Sequence, residues 1–115
     1  MDLRASRAAY VERLERAAAR VLRLLAARPE VHRLILIGSF AEGRRDLLTD
    51  LDVVVVMDSN QDWITRTAAL HRELDVGVDL DLMVYTPAEF ERMKERGFLK
   101  DALSRGKVIY AREAA

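Results

Sequence analysis

The stretch LILIGSFAEGRRDLLTDLDVVVV at residues 34–56 decides the fold of this chain. Its two ends, 34–37 and 53–56, are uninterrupted aliphatic runs, and short runs of this kind bounded by glycine and polar residues are typical of strands buried on both faces. Between them stand Gly38-Ser39, then ten residues, then Asp50-Leu51-Asp52. The pattern predicts a hairpin-like unit in which the turn after the first strand lies close to two aspartates at the start of the second.

Helices and strands alternate along the rest of the chain. Apolar residues at three- and four-residue steps predict a helix over 3–27, whose interspersed glutamates favour packing on a core over binding to a membrane or to nucleic acid. Besides the strand at 34–37, apolar runs predict strands at 51–57, 78–85 and, at a sheet edge, 107–110. This order predicts an α/β fold, a single sheet layered with helices, in one domain over residues 1–115.

Several residues predict where the later helices begin and end. Ser59, with Asp62 three positions on, fits a capping box. The segment Thr86-Pro87-Ala88-Glu89 combines an N-cap threonine, a proline at the first helical position and a glutamate at the third. Gly97 and Gly106 are predicted helix ends.

The composition excludes several classes of function. The chain has 19 basic and 19 acidic residues and a formal net charge of zero, which argues against nucleic acid as a strong partner. It has no cysteine, which excludes disulfides, thiolate zinc sites and cysteine nucleophiles. No apolar run is long enough to span a bilayer, and the first residues have no apolar signal core. We therefore expect a soluble cytoplasmic protein with no membrane partner.

The turn and the first aspartate pair form a candidate site for phosphate and metal. Glycine at position 38 lets the backbone approach a ligand closely, and the free amides of the turn and the Ser39 hydroxyl suit phosphate oxygens. Asp50 and Asp52 point to one face of a strand, about 6.6 Å apart along it. Carboxylates of this kind suit Mg²⁺ or Mn²⁺ that is also held by substrate phosphates. For the turn alone, the alternative is an ordinary helix start capped by serine. For the aspartate pair alone, the alternative is an acidic strand start that is exposed to solvent.

A second acidic pair lies on the third predicted strand. Asp79 and Asp81 alternate with apolar residues, so they share a face, and an ionised aspartate on a buried strand is costly unless it is paired or bound to metal. If this strand neighbours the one that begins after Asp50, one of its aspartates completes a cluster of three carboxylates able to hold two metal ions. Pairing with surface arginines is the alternative. Taken together and in this order, the turn, the first aspartate pair and the aspartate of the third strand favour the metal site.

These residues resemble a known family. Gly38-Ser39, the Asp50-Leu51-Asp52 pair and the segment DLMVYTP at 81–87 are similar, in order and spacing, to the minimal nucleotidyltransferases of the polymerase-beta superfamily. The resemblance runs from about residue 34 to residue 110. It implies a small mixed sheet with helices packed against it, equivalent to a polymerase palm without fingers or thumb.

The resemblance also implies a role for each site residue. Gly38 and Ser39 would hold the triphosphate of a nucleoside triphosphate, and Asp50 and Asp52 would coordinate two Mg²⁺ ions. Asp81 would coordinate the catalytic metal and help to activate an acceptor hydroxyl, whose oxygen attacks the α-phosphorus while pyrophosphate leaves. Asp81 is preferred to its neighbour two residues earlier, which is a supporting candidate, because it lies six residues before the proline of the family's strand-to-helix segment.

Two positions depart from the family pattern. Many members carry arginine directly after the glycine-serine pair and again before the next glycine, where this chain has Phe40 and Glu42. The basic charge has moved to Arg44 and Arg45. Arg45 is the candidate for neutralising the triphosphate, and a solvated loop is the alternative.

Stand-alone members of this family often act as antitoxins. The resemblance implies transfer of a nucleoside monophosphate from ATP or another nucleoside triphosphate to a hydroxyl of a protein partner. AMP is the first candidate for the transferred group, and a helical toxin of the HEPN class is the first candidate for the partner. The short chain shows no acceptor-binding domain of its own, which favours a protein acceptor over a small molecule such as an aminoglycoside. The alternative is a module that binds metal and nucleotide without catalysis and neutralises its partner by contact.

Overall fold

The computed structural model describes residues 2–112 and has the mixed α/β architecture that the sequence predicts. The apolar runs at 51–57 and 107–110 form strands as predicted, whereas the first strand begins three residues earlier than expected and the third two residues later. The elements in chain order are α1 (Leu3–Ala26), β1 (Val31–Ile37), α2 (Gly38–Ala41), β2 (Leu51–Met57), α3 (Trp63–Glu73), β3 (Leu80–Tyr85), α4 (Pro87–Met93), α5 (Gly97–Arg105) and β4 (Lys107–Ala111).

The four strands form one sheet in the order β3-β2-β1-β4. β1 pairs antiparallel with β2 and with β4, and β2 pairs parallel with β3. The predicted hairpin-like unit is therefore β1 and β2, and the prediction of an edge strand for β4 is confirmed. Because β2 and β3 are parallel and adjacent, they begin at the same end of the sheet, which is also the end where the antiparallel β1 finishes.

Alternate residues of β2 pack into two separate cores. Leu51, Val53 and Val55 belong to the core between the sheet and helices α1 and α3, whereas Val54 and Val56 belong to the core under α4 and α5. Helices thus cover both faces of the sheet, which explains why β2 is apolar without alternation. Since side chains alternate along a strand, Asp52 faces the same side as Val54, toward the layer of α4 and α5.

The long N-terminal helix is confirmed as a core-packing element. It buries one side along its length in the core it shares with α3 (Leu14, Ala17, Val21 and Leu25). Among residues 2–112, every helix is too short or too polar to cross a bilayer.

Two of the predicted helix boundaries are confirmed and two are wrong. The capping box at Thr86 is present, and Gly106 follows the last residue of α5. Ser59 does not cap α3: its Oγ accepts from the amide of Gln61, and Asp62 caps the helix instead. Gly97 does not end a helix but begins α5, at a φ of 45° that favours glycine.

A buried arginine joins three elements next to the sheet. Arg66 on α3 is 5 % exposed. Its Nε donates to the carbonyl of Val84 at 3.2 Å, its Nη1 donates to the carbonyl of Gln61 at 3.1 Å, and its Nη2 pairs with Glu89. Glu89 also accepts from the amide of Thr86, the N-cap of α4, at 2.8 Å. The guanidinium therefore ties the start of α4 to α3 and to the end of β3.

We expect Arg66→Ala to lower the free energy of unfolding by about 3 kcal/mol, because it leaves two carbonyls without their donor and removes the ion pair of Glu89. Urea unfolding followed by circular dichroism measures this. Arg72→Ala, at an exposed position of the same helix, is the matched control, with an expected change within about 0.5 kcal/mol. Equal losses in the two variants would contradict the role given to Arg66.

Candidate active site

Two of the predicted catalytic aspartates lie side by side at the end of the sheet where β2 and β3 begin. Asp52 and Asp81 are direct partners in the parallel register of the two strands. Asp52 is partly buried and Asp81 is exposed. Burial first, and then the negative charges of Asp81 and Asp50, raise the pKa of Asp52 to about 6. The third strand therefore brings a carboxylate next to that of Asp52.

The glycine of the motif lies directly against Asp52. Ile37, the last residue of β1, pairs with Asp52, and the chain turns at Gly38 with a φ of 75°. A Cβ atom on Gly38 would overlap Oδ2 of Asp52 and lie 3.3 Å from its Cγ. Position 38 therefore needs glycine for two reasons, its backbone conformation and the carboxylate against it.

The other predicted aspartate, Asp50, lies directly before the first residue of β2. The amide of Asp50 donates to Oγ of Ser39 at 3.4 Å, which links the turn to the start of β2. The preceding residue, Thr49, is fully buried, and its carbonyl accepts from the Tyr10 hydroxyl of α1 at 2.8 Å. Oγ1 of Thr49 also bonds Asp46. Asp50 itself is exposed, and its charge acts on Asp52.

A cavity of about 280 Å³ opens between this end of the sheet and α5. It brings Gly38, Asp52 and Asp81 together with one face of α5, on which Phe98, Asp101, Ala102 and Arg105 recur at helical spacing. The sequence reasoning did not select any α5 residue, although that spacing was a usable signal. The remaining residues that line the cavity are Ile37, Glu42 and Met83.

The structure does not bring Arg45 to this cavity. Its guanidinium donates to Glu15 on α1 and to the carbonyl of Phe40, both at 2.8 Å, and stacks on the Phe40 ring at 3.8 Å. Arg45 lines a different, shallow groove along the N-terminal half of α1. The adjacent Arg44 is exposed and pairs with Asp46 at 2.8 Å. A nucleotide contact by Arg45 stays a prediction, and this geometry gives it no support.

Asp79 is separated from the pair as well. It lies before β3 and lines another cavity with Tyr10 and Asp75. The preference for Asp81 over Asp79 therefore agrees with the geometry, because only Asp81 faces Asp52 and Gly38.

The side chains present fit a divalent cation that is also bound by substrate phosphates. Within residues 2–112, no group of three or more carboxylate or imidazole side chains converges into a complete metal site. Asp52 and Asp81 nevertheless supply oxygen donors on one face, with the charge of Asp50 beside them. Mg²⁺ is commonly bound by one or two carboxylates and completes its shell with water and phosphate oxygens. This donor chemistry fits Mg²⁺ or Mn²⁺.

The close approach of Gly38 to Asp52 can be measured with a matched glycine. Gly77 has nearly the same φ, 76°, but a Cβ there would meet nothing within 4 Å. We expect Gly77→Ala to cost about 1 kcal/mol through backbone strain alone. Gly38→Ala should cost about 1–2 kcal/mol more in thermal unfolding, because Asp52 must shift. In an Asp52→Ala background, the cost of Gly38→Ala should fall to that of Gly77→Ala, and a cost that stays high would contradict the contact.

The raised pKa of Asp52 predicts a pH-dependent gain in stability for Asp52→Asn. The folded pKa, about 6, lies above the reference value of 3.8. The ionised carboxylate therefore destabilises the metal-free fold as pH rises from about 4 through 6, and this penalty is absent at lower pH. With EDTA present, Asp52→Asn should gain about 1–2 kcal/mol at pH 7.5 and nothing at pH 4, after discounting for partial exposure.

Thermal unfolding at the two pH values makes this measurement. Asp75→Asn, in the exposed loop before β3, is the control for removing one negative charge. A gain from Asp52→Asn that is the same at both pH values, or that Asp75→Asn reproduces, would contradict the assignment.

Similarity to known proteins extends over most of the chain. Residues 20–115 match the family model described as polymerase beta, nucleotidyltransferase. No curated protein matches the chain. A chain in a crystal structure described as a mutant of the toxin-antitoxin MntA-HpeT is 21 % identical to it, over 86 % of this chain and 73 % of that chain, with a TM-score of 0.48. Because the family model spans far more than half of its length, the chain belongs to the polymerase-beta nucleotidyltransferase family.

Proposed function

We propose that this protein transfers a nucleoside monophosphate from a nucleoside triphosphate to a hydroxyl group of a protein partner. The observation that carries the proposal is the cavity that joins the glycine turn to two carboxylates of adjacent strands: Gly38, Asp52 and Asp81. Membership of a nucleotidyltransferase family supports the general reaction. ATP, and hence AMP transfer, is the first substrate to test.

Each residue has a defined task in this reaction. The backbone at Gly38 and the Ser39 hydroxyl bind the triphosphate, and the missing Cβ at Gly38 lets phosphate and carboxylate approach the same turn. Asp52 and Asp81, with Asp50 beside them, would hold Mg²⁺ or Mn²⁺. When bound, the metal neutralises the charge of the transferred phosphoryl group and lowers the pKa of the attacking hydroxyl. Asp81 is the more exposed of the two facing carboxylates, so an acceptor approaching from solvent meets it first.

The proposed transfer forms one bond and breaks another. The acceptor oxygen bonds to the α-phosphorus, the bond from that phosphorus to the oxygen bridging to the β-phosphorus breaks, and pyrophosphate leaves. The acceptor proton passes to a carboxylate oxygen of Asp81 and from there to solvent, which the exposure of Asp81 permits. Asp52, the direct neighbour of Asp81 in the sheet, would hold the metal together with it.

The acceptor that we propose is a protein, as in the stand-alone minimal nucleotidyltransferases that the motif resembles. In that setting, the chain is the antitoxin of a cytoplasmic pair and modifies a helical HEPN-type toxin. A module that neutralises its partner by contact alone needs no transfer chemistry, so the loss of catalytic carboxylates distinguishes the two functions.

Label transfer tests the reaction directly. The purified protein is incubated with Mg²⁺, host lysate and α-labelled ATP, GTP, CTP or UTP in separate reactions. We expect a labelled protein band with wild type and a loss of roughly a thousandfold in Asp50→Asn/Asp52→Asn and in Asp81→Asn, because removing the metal ligands raises the barrier by several kcal/mol.

Asp79→Asn is the matched control for Asp81→Asn. It removes the same charge two residues earlier but lies outside the cavity, and we expect it to keep most of the activity. Loss of label in Asp79→Asn with retention in Asp81→Asn would contradict the site assignment. If wild type gives no label with any nucleotide but still neutralises its partner, the contact function replaces the proposed transfer reaction.

A further inference from the structure

Arg105 occupies a distinctive place in the cavity. Among the residues of the described range 2–112 that line it, Arg105 is the only cation. The other charged side chains there are all carboxylates: Glu42, Asp52, Asp81 and Asp101. A triphosphate that enters this cavity therefore meets strong repulsion except near Arg105 and near any metal ion held by Asp52 and Asp81.

The guanidinium of Arg105 is held loosely. Its Nη1 lies 3.7 Å from Oε1 of Glu42, and its Nη2 pairs with Asp101 one helical turn earlier. The Arg105 side chain is 57 % exposed. Exposed ion pairs of this kind contribute little to stability, because both side chains stay solvated. A ligand with stronger negative charge can therefore take the guanidinium from Glu42 and Asp101 at little cost.

Because Arg105 lies near Glu42, its guanidinium is also close to the turn at Gly38. The amide of Glu42 donates to the carbonyl of Gly38 at 3.1 Å, so Glu42 stands one helical turn after the glycine. Arg105 on α5 reaches Glu42 from across the cavity. Arg45, the cation expected from the sequence, is instead engaged with Glu15 and Phe40 outside the cavity.

We propose that Arg105 is the triphosphate-binding residue of this site: it leaves Glu42 and Asp101 and donates two parallel hydrogen bonds to the β- and γ-phosphate oxygens. The planar guanidinium suits this contact, because it offers paired donors that match phosphate oxygens. The inference rests on the proposed function of the cavity as a nucleotide site. It adds that the charge selecting a triphosphate over a monophosphate comes from α5 rather than from the loop after Gly43.

Calorimetric titration of the full chain with tripolyphosphate in Mg²⁺ tests the contact without requiring a base or a transfer reaction. We expect Arg105→Gln to weaken tripolyphosphate and ATP binding by roughly ten- to a hundredfold. AMP binding should stay unchanged, because AMP lacks the β- and γ-phosphates. Arg105→Lys should fall between wild type and Arg105→Gln, since it keeps the charge but not the paired donors.

Two further arginines make the comparison specific. Arg72→Gln, exposed on α3, controls for the loss of one positive charge and should bind like wild type. Arg45→Gln tests the competing cation, which lines a different groove from the cavity of Arg105. A loss in Arg45→Gln together with normal binding in Arg105→Gln would overturn the inference, and so would equal loss of AMP and ATP binding in Arg105→Gln.

A double-mutant cycle tests the exchange of partners. Glu42→Gln should raise tripolyphosphate affinity by roughly threefold to tenfold, because it removes the competing carboxylate. The gain should shrink in the Arg105→Gln background, where there is no guanidinium to release. If Glu42→Gln raises the affinity just as much in the Arg105→Gln background, Glu42 acts only by repelling the ligand. That result would contradict the exchange of partners by Arg105.

The outcomes also separate this inference from the proposed function. Wild type that binds tripolyphosphate through Arg105 but transfers no label would refute the transfer reaction and leave the phosphate contact in place. Label transfer that is unaffected by Arg105→Gln, with unchanged ATP affinity, would refute the contact and leave the reaction in place. Wild type that binds neither tripolyphosphate nor ATP would overturn both.

Discussion

The pairing of β2 between an antiparallel and a parallel neighbour is the constraint on which the site depends. The antiparallel partner β1 ends where β2 begins, so the turn at Gly38 lies against Asp52. The parallel partner β3 begins at the same end, so Asp81 stands opposite Asp52. A slip of either strand by one residue would turn its side chains to the other face of the sheet and separate the carboxylates. The register is fixed by the two cores, because Val53 and Val54 fill opposite sides of β2.

This arrangement places like charges together at a cost to the fold. The pKa of Asp52 is raised because the carboxylate is partly buried and faces Asp81 and Asp50. The buried residues Arg66 and Thr49, by contrast, have well-placed partners: Arg66 lies among carbonyls and Glu89, and Thr49 bonds Asp46 and Tyr10. A partly buried carboxylate whose pKa is raised by neighbouring negative charges is typical of a binding site, since a ligand of opposite charge removes the cost.

The parts of the fold that depend on nearby residues could be predicted from the sequence. The aliphatic runs identified β2, the Thr86 capping box identified the start of α4, and the spacing of Gly38 and Asp52 placed the turn beside the carboxylate. Position in the chain does not reveal which side chains meet across the sheet. Arg45 and Arg105 both lie within two residues of a glycine, and only the packing of α1 and α5 decides that Glu15 engages one and the cavity receives the other.

The position of α5 explains how a cation distant in sequence can serve the motif. Leu99 and Ala102 bury α5 on the same core as Ile35 and Ile37 of β1. Gly106, directly after the helix, lies so close to β1 that a Cβ there would be 2.8 Å from the carbonyl oxygen of Leu36. The last turn of α5 is therefore fixed against the strand that leads into the phosphate turn, and Arg105 is held within reach of Glu42 whatever residue the motif carries there. Because the packing of α5 sets this distance, the core that holds the helix also fixes where the positive charge of the cavity lies.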